Sequence, residues 1–406
     1  MEKHFDIVVV GGGSAGIATA ASLAKRDRSL EIAIVDPADK HFYQPGWTMV
    51  GGGIFDATTT GRPQSSVIPR GCTWVKQAVD GFDPENNAVH LSDGSRLHYD
   101  RLVVCPGLKL NWAGVEGLET WLGTRGVTSN YSFKTAPYTW ELVQSLKSGK
   151  ALFTQPPMPI KCAGAPQKAM YLSADHWTRS GLIDAIDVQF YTATPGLFGV
   201  QAYVPALMKY VERYGASLNF QHTLTAIDGD KQIATFTTAE GETVESDFDM
   251  IHVCPPQCAP DFIKHSPLAD DAGWVDVDPD TLQSTKYDNI WALGDVTNAP
   301  NAKTAAAARA QAPVVAVNLL HHAGKAPHHS HYNGYGSCPL TVERGKIVLA
   351  EFGYGGKLLP SFPKWILNGE QPSALAWRLK AQALPWIYWE AMLKGREWMV
   401  KPIPQV

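Results

Sequence analysis

The sequence predicts an α/β fold with two Rossmann-like, doubly wound domains, antiparallel meander insertions and an amphipathic helical segment at the C-terminus. A buried strand runs into a glycine-rich turn and an apolar helix near the N-terminus, and a second strand–loop–helix unit begins near residue 151. Five of the thirteen tryptophans fall after residue 364, in a stretch that mixes them with basic side chains. With 406 residues, the chain is long enough for two or three domains with cores of their own.

The first element is a strand at residues 5–10, whose run of Ile and Val is typical of a strand buried on both faces of a parallel sheet. Gly11-x-Gly13-x-x-Gly16 follows at once, and residues 17–25 continue as an apolar, alanine-rich helix. In this arrangement Gly11 makes the tight turn, Gly13 lets the backbone approach a pyrophosphate, and Gly16 lets helix and strand pack closely. The helix N-terminus adds unpaired N–H groups and a positive dipole end. The spacing therefore favours a dinucleotide site over a structural glycine turn.

The strand that follows supports the same site. Residues 32–35 are apolar and end at Asp36, about twenty residues after the last glycine, where a carboxylate can accept from a ribose hydroxyl. Residues 74–79, 88–91 and 97–100 alternate around turns and predict a small antiparallel meander. Residues 101–107 then predict a buried strand that returns to the first sheet.

The chain is expected to return to this first domain much later. Residues 290–293 predict a strand, and Asp295 directly after it can accept from a polyol hydroxyl of the same cofactor. Residues 302–320 predict a long alanine-rich helix behind that strand. The first domain is therefore expected to comprise residues 1–110 and 280–325.

A second nucleotide-type unit, at residues 111–279, begins with a strand at 151–154 and has a helix at 168–177. The loop between them carries three prolines and Cys162 where a NAD(P)H domain would carry another glycine triplet. Prolines remove the N–H donors that would bind a pyrophosphate. Binding of NAD(P)H as an obligate substrate is therefore disfavoured.

Composition excludes several classes of function. The net charge of −4 gives no electrostatic reason to expect nucleic acid as a partner. The first strand begins at residue 5, so no signal or transit peptide is expected and the chain is predicted to start in the cytosol. The six cysteines are too few and too scattered for a secreted disulfide scaffold, and a disulfide here would more readily be catalytic.

The glycine motif, Asp36 and Thr285-x6-Ala292-Leu293-Gly294-Asp295 together resemble the flavoprotein disulfide reductase superfamily with its two dinucleotide domains. Three longer stretches are more specific, and they resemble the type II sulfide:quinone oxidoreductases, the subgroup that includes the mitochondrial enzymes. These stretches are His41-Phe42-Tyr43-Gln44-Pro45, the segment 159–168 around Cys162, and Tyr332-Asn333-Gly334-Tyr335-Gly336-Ser337-Cys338-Pro339-Leu340. The similarity runs nearly from end to end.

The resemblance implies that FAD binds at the glycine motif and that Cys162 and Cys338 form a redox-active pair beside it. Sulfide attacks their disulfide, one cysteine keeps a persulfide, and the other passes electrons to FAD, which reduces a membrane quinone. The persulfide sulfur then leaves to sulfide or another small sulfur acceptor. Lys161, Lys168 and the following helix N-terminus are expected to lower the pKa of Cys162.

The residues expected to contact the cofactor lie in the glycine loop, at strand ends and at the start of the long helix. They are Gly11, Gly13, Ser14, Ala15, Gly16, Asp36, Lys40, Gln44, Ala78, Gly107, Gly294, Asp295, Lys303 and Thr304.

Two other groups of candidate residues favour structural interpretations. Cys254 and Cys258 form a CxxxC in a proline-rich loop; they could be a second redox pair, but a structural role is favoured. The five histidines between His321 and His331 are interrupted by Gly324 and Pro327, so a solvated loop is favoured and no metal site is expected.

The C-terminal segment, residues 326–406, contains no apolar run long enough to span a bilayer. Residues 373–384 and 386–400 instead predict two short amphipathic helices split by Pro385, rich in aromatic and basic side chains, that lie in the plane of a membrane surface. The alternative is docking on the protein's own surface or on a second subunit of a homo-oligomer. Phe352, Tyr388 and Trp389 are candidates for flanking the quinone ring.

These interpretations predict a monotopic protein on the cytoplasmic face of a membrane. Removing residues beyond about 362 is then expected to leave a protein that still holds FAD but detaches from membranes and loses quinone reduction. The alternatives are a type II NADH:quinone oxidoreductase, which requires the missing second glycine fingerprint, and a flavin-binding disulfide sensor without turnover. A flavocytochrome-type sulfide dehydrogenase is disfavoured because no CxxCH is present.

Overall fold

A computed structural model describes residues 3–404; the two residues at each end, which the expected domain boundaries include, lie outside the described part. Its strands are β1 (Lys3–Val10), β2 (Ile32–Val35), β3 (Lys40–Phe42), β4 (Gly61–Pro63), β5 (Cys72–Val75), β6 (Val79–Asp83), β7 (Ala88–Leu91), β8 (Arg96–Val104), β9 (Lys109–Leu110), β10 (Val127–Thr128), β11 (Gly149–Gln155), β12 (Ile186–Thr192), β13 (Ser217–Phe220), β14 (His222–Asp228), β15 (Ile233–Thr238), β16 (Thr243–Asp247), β17 (Met250–His252), β18 (Gln257–Cys258), β19 (Ile290–Ala292), β20 (Ser330–His331), β21 (Gly336–Glu343), β22 (Lys346–Phe352) and β23 (Ile403–Pro404).

The α-helices are α1 (Ser14–Arg26), α2 (Trp47–Gly51), α3 (Leu118–Trp121), α4 (Ala136–Ser145), α5 (Ala165–Arg179), α6 (Val204–Arg213), α7 (Asp261–Lys264), α8 (Ala305–His322), α9 (Ala374–Arg378) and α10 (Leu384–Glu390).

The first sheet has the order β5-β2-β1-β8-β7-β6, with β19 added beside β8. β1 pairs in parallel with β2 and β8, and β19 pairs in parallel with β8, so the late return of the chain joins the sheet of the glycine motif. The Ile and Val side chains of β1 are fully buried, because helices α1 and α8 cover the sheet. This arrangement puts the carboxyl ends of β1, β2 and β19 at one edge, where ligands bind in open parallel sheets.

The meander differs from the sequence prediction in its strand limits. Residues 74–79 are not one strand: β5 pairs in parallel with β2, whereas β6 begins at Val79 and pairs antiparallel with β7. Residues 97–104 belong to one strand, β8, which pairs antiparallel with β7 at its start and in parallel with β1 along its length. Period-2 alternation identifies extended chain but does not show which partner a strand finds.

The second sheet is parallel and has the order β10-β17-β11-β12-β13, with the antiparallel sheet β14-β15-β16 beside it. The hairpin β21–β22 packs on α5, and its inward side chains, among them Cys338 and Leu340, belong to the core of this second sheet. The segment after residue 325, which the sequence sets apart as a separate unit, thus packs partly into the second core, while Ile347, Leu349, Leu367 and Ala376 form a small cluster within the segment itself. The hairpin buries its apolar face in the nearest available core.

Residues 363–404, which we call the C-terminal arm, depart from the prediction of two helices split at Pro385. α9 continues through one π turn at residues 379–383 into α10, and Pro385 lies in the first turn of α10. The wider π turn lets the chain pass a residue that lacks an N–H donor. Tyr388, Trp389, Met392 and Leu393 are buried in the same core as β1 and α1.

No helix within residues 3–404 combines the length and apolarity needed to cross a membrane.

Candidate active site

The glycine loop has the backbone geometry that the motif predicts. Gly11 has φ +105°, and a Cβ there would lie 2.6 Å from the carbonyl oxygen of Cys105. A Cβ on Gly16 would lie 1.9 Å from the Gly11 oxygen, whereas one on Gly13 would meet nothing within 4 Å. Gly11 and Gly16 are thus required by close packing, and Gly13 leaves the backbone open to an adjoining cavity. The Gly12 N–H donates to Asp36 Oδ2 at 2.6 Å, which ties the loop to the end of β2.

A cavity of about 790 Å³ extends from this loop to Cys162. Predicted site residues that line it are Gly13, Ser14, Ala15, Gln44, Gly107, Lys161, Cys162, Lys168, Gly294, Asp295, Lys303, Thr304 and Tyr388. The other predicted site residues do not line the cavity. They are Gly11, Gly16, Asp36, Lys40, Ala78, Cys338, Phe352 and Trp389. The open Gly13 backbone, the α1 N-terminus and the polar residues around Asp295 fit the flavin dinucleotide that the resemblance implies.

Lys303 links the segment at Asp295 and Thr297, part of which lines the cavity, to the loop that carries Cys162. Its ammonium donates to the carbonyl oxygens of Asp295 and Thr297 at 2.8 and 2.7 Å, and its own carbonyl accepts from the Cys162 N–H at 2.8 Å. Burial lowers the pKa of Lys303 to about 8 and raises the pKa of Asp295. Thr304 caps α8 by accepting from the Ala307 N–H.

Cys162 and Cys338 are separated by 176 positions in the chain, and their Sγ atoms lie 3.5 Å apart. Cys162 sits in the loop between β11 and α5 with φ +51°, and Cys338 comes from β21, which packs on α5. Gly164 is required between them, because a Cβ there would lie 2.7 Å from Cys338 Sγ and 2.2 Å from Leu340 Cδ2. The two sulfurs are close enough for redox chemistry between them.

The charge around this pair favours one thiolate. The Lys168 ammonium lies 3.1 Å from Cys162 Sγ and 3.8 Å from Cys338 Sγ. Hydrogen bonding from Cys338 and the charge of Lys168 lower the pKa of Cys162 well below its usual value, against the effect of burial. The Cys162 thiolate and burial in turn raise the pKa of Cys338. In the reduced pair these effects favour the thiolate on Cys162 and the proton on Cys338.

Lys161 contributes less to the sulfur pair than the sequence predicts, and Lys380, to which the sequence assigned no part there, contributes to it. The Lys161 ammonium donates to Gln44 Oε1 at 2.5 Å and does not contact either cysteine, so its expected part in lowering the Cys162 pKa is minor. Lys380 of the C-terminal arm is buried, donates to the Pro45 oxygen at 3.1 Å, and helps to lower the Cys162 pKa. Burial and the nearby Lys168 reduce the pKa of Lys380 to about 8. Sequence reasoning missed Lys380 because it counted the residue among the basic groups of a surface helix.

The three aromatic candidates for a quinone site do not surround one space. Phe352 ends β22 and packs edge-on against Phe198 in the second core. Tyr388 contacts Ser14 and Tyr43, and Trp389 lies under the Arg62 guanidinium. The trio stays a prediction that this packing disfavours, because Phe352 packs against the second core and Tyr388 and Trp389 lie in the first. Apolar side chains that line the cavity include instead Tyr43, Pro45, Leu379, Leu384 and Ile387.

The remaining cysteines and histidines occupy structural positions. Cys254 is buried, and burial raises its pKa to about 12, while Cys258 lies on β18, which pairs with β9. His321 Nδ1 is bonded to the Ala326 oxygen, and its ring packs on His329. In the part of the chain that the structure describes, no group of three or more His, Cys, Asp or Glu side chains could hold a metal ion.

Comparisons with known proteins agree with these features. Residues 5–149 match the family model described as pyridine nucleotide-disulphide oxidoreductase. The mitochondrial sulfide:quinone oxidoreductase of Dictyostelium discoideum is 45% identical over 96% of this chain and 86% of its own length. The Mus musculus protein of the same name is 38% identical over 97% and 87%. The solved sulfide:quinone oxidoreductase of Aquifex aeolicus shares the fold, with a TM-score of 0.79 at 20% identity over 97% of this chain and 92% of that chain.

Proposed function

Because this chain belongs to the sulfide:quinone oxidoreductases, we propose that Cys162 and Cys338 are the redox pair at which it oxidises sulfide. The protein is an oxidoreductase that oxidises sulfide and passes the electrons through a flavin to a quinone. The observation that carries the residue assignment is the 3.5 Å separation of the two sulfurs beside the Lys168 ammonium.

The chemistry proposed for these residues follows from their charges. In the oxidised state, the anion HS⁻ attacks the disulfide, one cysteine keeps a persulfide, and the other becomes a thiolate. Lys168 attracts the anionic nucleophile and stabilises the resulting thiolate. Cys162 lines the cavity and Cys338 does not, so Cys162 is the cysteine that can meet a bound group. The flavin, when bound, takes two electrons from the sulfur site and delivers them to the quinone.

We propose FAD as the flavin, held at the residues that line the cavity and at Asp36. The Gly13 backbone and the α1 N-terminus suit its pyrophosphate, and Asp36 and Asp295 suit its hydroxyl groups. The apolar wall formed by Tyr43, Pro45, Leu379, Leu384 and Ile387 is the proposed quinone site, since a planar apolar ring favours such surroundings. A small nucleophile such as sulfide is the proposed sulfur acceptor.

Mixing the purified protein anaerobically with sulfide tests the function. We expect the flavin absorbance to bleach on sulfide addition and to recover on addition of a quinone. NADH is expected not to bleach it, because the loop after β11 contains Pro156, Pro157 and Pro159 where phosphate donors are needed. Rapid bleaching by NADH would support the NADH:quinone alternative instead. Thiols that titrate without steady-state turnover would support a sensor.

Replacing Lys168 with methionine should raise the pH at which reduced Cys162 becomes reactive. The Cys162 pKa is lowered by the ammonium 3.1 Å away, so removing that charge moves the pKa upward and slows alkylation at neutral pH. The measurement is the rate of Cys162 modification by iodoacetamide against pH. Lys161→Met serves as the control and should shift the midpoint less, since Lys161 bonds Gln44. Equal shifts in the two variants would contradict the assignment of Lys168.

We also propose that the C-terminal arm binds a membrane surface as a peripheral element. Of the seven large apolar side chains exposed in the described residues, six fall between residues 365 and 399, and Trp365 is 85% exposed. Exposed Lys364, Lys394 and Arg396 belong to the same segment and suit anionic headgroups, with Lys364 also paired to Glu370 and Lys394 to Glu390. An exposed apolar patch bordered by basic residues is typical of an interfacial protein.

The triple variant Trp365→Gln, Ile366→Gln, Leu375→Gln should reduce sedimentation with anionic vesicles several-fold while the flavin stays bound. These side chains are exposed, so their loss removes apolar contact with lipid without opening the core. Met158→Gln is the matched control, because Met158 is 52% exposed but lies outside the arm. Unchanged sedimentation of the triple variant would place membrane binding elsewhere.

A further inference from the structure

The C-terminal arm lies along the whole length of α1, the helix that follows the glycine loop. At the start of α1, the Tyr388 hydroxyl is 2.7 Å from Ser14 Oγ. In the middle, Gly395 approaches so closely that a Cβ would lie 2.7 Å from the Ala21 oxygen. At the end, Glu397 accepts from Ser22 Oγ at 2.7 Å and from Arg26 at 2.5 and 2.8 Å. The arm therefore contacts the cofactor-binding element directly.

The contact at Ser14 is one link of a hydrogen-bonded chain with a defined direction. His41 Nδ1 lies 3.1 Å from the Gly12 oxygen, which can only accept, so Nδ1 carries the proton. Burial lowers the His41 pKa, so the ring is neutral and Nε2 is an acceptor. The Tyr388 hydroxyl, 2.6 Å from Nε2, therefore donates to His41 and accepts from Ser14. Ser14 thus donates to Tyr388, Tyr388 donates to His41, and His41 donates to the Gly12 carbonyl oxygen.

This hydrogen-bonded chain orients the peptide group between Gly12 and Gly13. The Gly12 oxygen accepts from His41 and also from Gln64 Nε2 at 2.8 Å, and neither donor lines the cavity. In a trans peptide the carbonyl and the following N–H point in opposite directions. Holding the Gly12 carbonyl toward His41 and Gln64 thus directs the Gly13 N–H away from them, on the side where Gly13 meets the cavity.

We propose that Tyr388 is a positioning residue for the dinucleotide loop, so that cofactor binding and docking of the C-terminal arm stabilise each other. Tyr388 fixes the Ser14 hydroxyl and, through His41, the Gly12–Gly13 peptide in the geometry that receives a pyrophosphate. Linkage makes the effect reciprocal: an arm that favours the binding geometry must itself be held more firmly when the cofactor is bound. The inference rests on the proposed binding of FAD at this loop, and assigns to the arm a role beyond contact with a membrane.

The test compares Tyr388→Phe, Ser14→Ala and the double variant in FAD titrations of the full-length apoprotein. Each single change removes the same hydrogen bond and should raise the dissociation constant of FAD roughly three- to tenfold. The double variant should bind FAD no more weakly than Tyr388→Phe, because that single change already removes the hydrogen bonds to both Ser14 and His41. Ser14→Ala keeps the helix backbone and serves if the tyrosine variant folds poorly.

Tyr214→Phe is the matched control. Tyr214 is equally buried and its hydroxyl donates to the Val342 oxygen at 2.8 Å, but it lies in the second core. Both tyrosine variants should lower the Tm of the apoprotein, and only Tyr388→Phe should weaken FAD binding. In hydrogen exchange, FAD should protect amides 384–397 of the wild type and protect them less in Tyr388→Phe.

Each alternative outcome is decisive. The positioning role would be overturned if FAD affinity were unchanged in both Tyr388→Phe and Ser14→Ala. It would also be overturned if Tyr214→Phe weakened FAD binding equally. Either result would leave the proposed function intact. Protection of the arm that does not depend on FAD would overturn the coupling. A wild-type protein that takes up no FAD would contradict the proposed function and this inference together.

Discussion

Replacement of Cys162 or Cys338 by serine is expected to reduce sulfide-driven flavin reduction by several orders of magnitude. A hydroxyl can form neither a disulfide nor a persulfide, so no single remaining thiol can complete the exchange. Both variants should keep the fold and FAD, because neither cysteine lies in the glycine loop or the strand end at Asp295. The measurement is the rate of flavin bleaching after rapid anaerobic mixing with sulfide.

Cys254→Ser and Cys258→Ser are the matched controls and should retain most of the rate. Burial raises the pKa of Cys254, and neither Cys254 nor Cys258 lines the cavity that Cys162 faces. If these two variants lost the activity and Cys338→Ser kept it, the proposed sulfur site would be wrong.

Deleting the residues after 362 is expected to prevent formation of a stable protein that holds FAD. The deletion removes four buried side chains, Tyr388, Trp389, Met392 and Leu393, from the core that also holds β1 and α1. Burial of a large apolar side chain contributes roughly 1.5–3 kcal/mol, so the combined loss rivals the free energy of unfolding of a typical domain. This packing argues against the sequence-based expectation of an FAD-loaded protein that merely detaches from membranes. The measurements are flavin content after purification and the Tm of the product.

The triple variant at Trp365, Ile366 and Leu375 supplies the control for this deletion. It should detach from vesicles and keep both flavin and Tm, because those side chains are exposed. A truncated protein with wild-type flavin content would show that the arm is only a membrane attachment.

The local features of the site could be predicted because each depends on neighbours in sequence. The apolar run of β1, the glycine spacing and the acid after β2 predicted the first βα unit, and the prolines after β11 predicted a second loop without phosphate donors. Period-2 alternation was less informative, since it did not separate β5, which joins the parallel sheet, from β6, which begins the meander.

What the sequence determined by itself is the chemistry available: a dinucleotide loop, two cysteines in distinctive motifs and basic residues near one of them. The tertiary structure alone decided which of these groups meet. It brought the charge of Lys380 close enough to affect Cys162, placed Phe352 and Tyr388 against different cores, and joined Tyr388 to Ser14 across 374 positions. A surface helix and a docked helix have the same amphipathic pattern, since both need one apolar face. Only packing decides whether that face meets lipid or the protein's own core, and here Tyr388 and Trp389 face the core while Trp365 remains exposed.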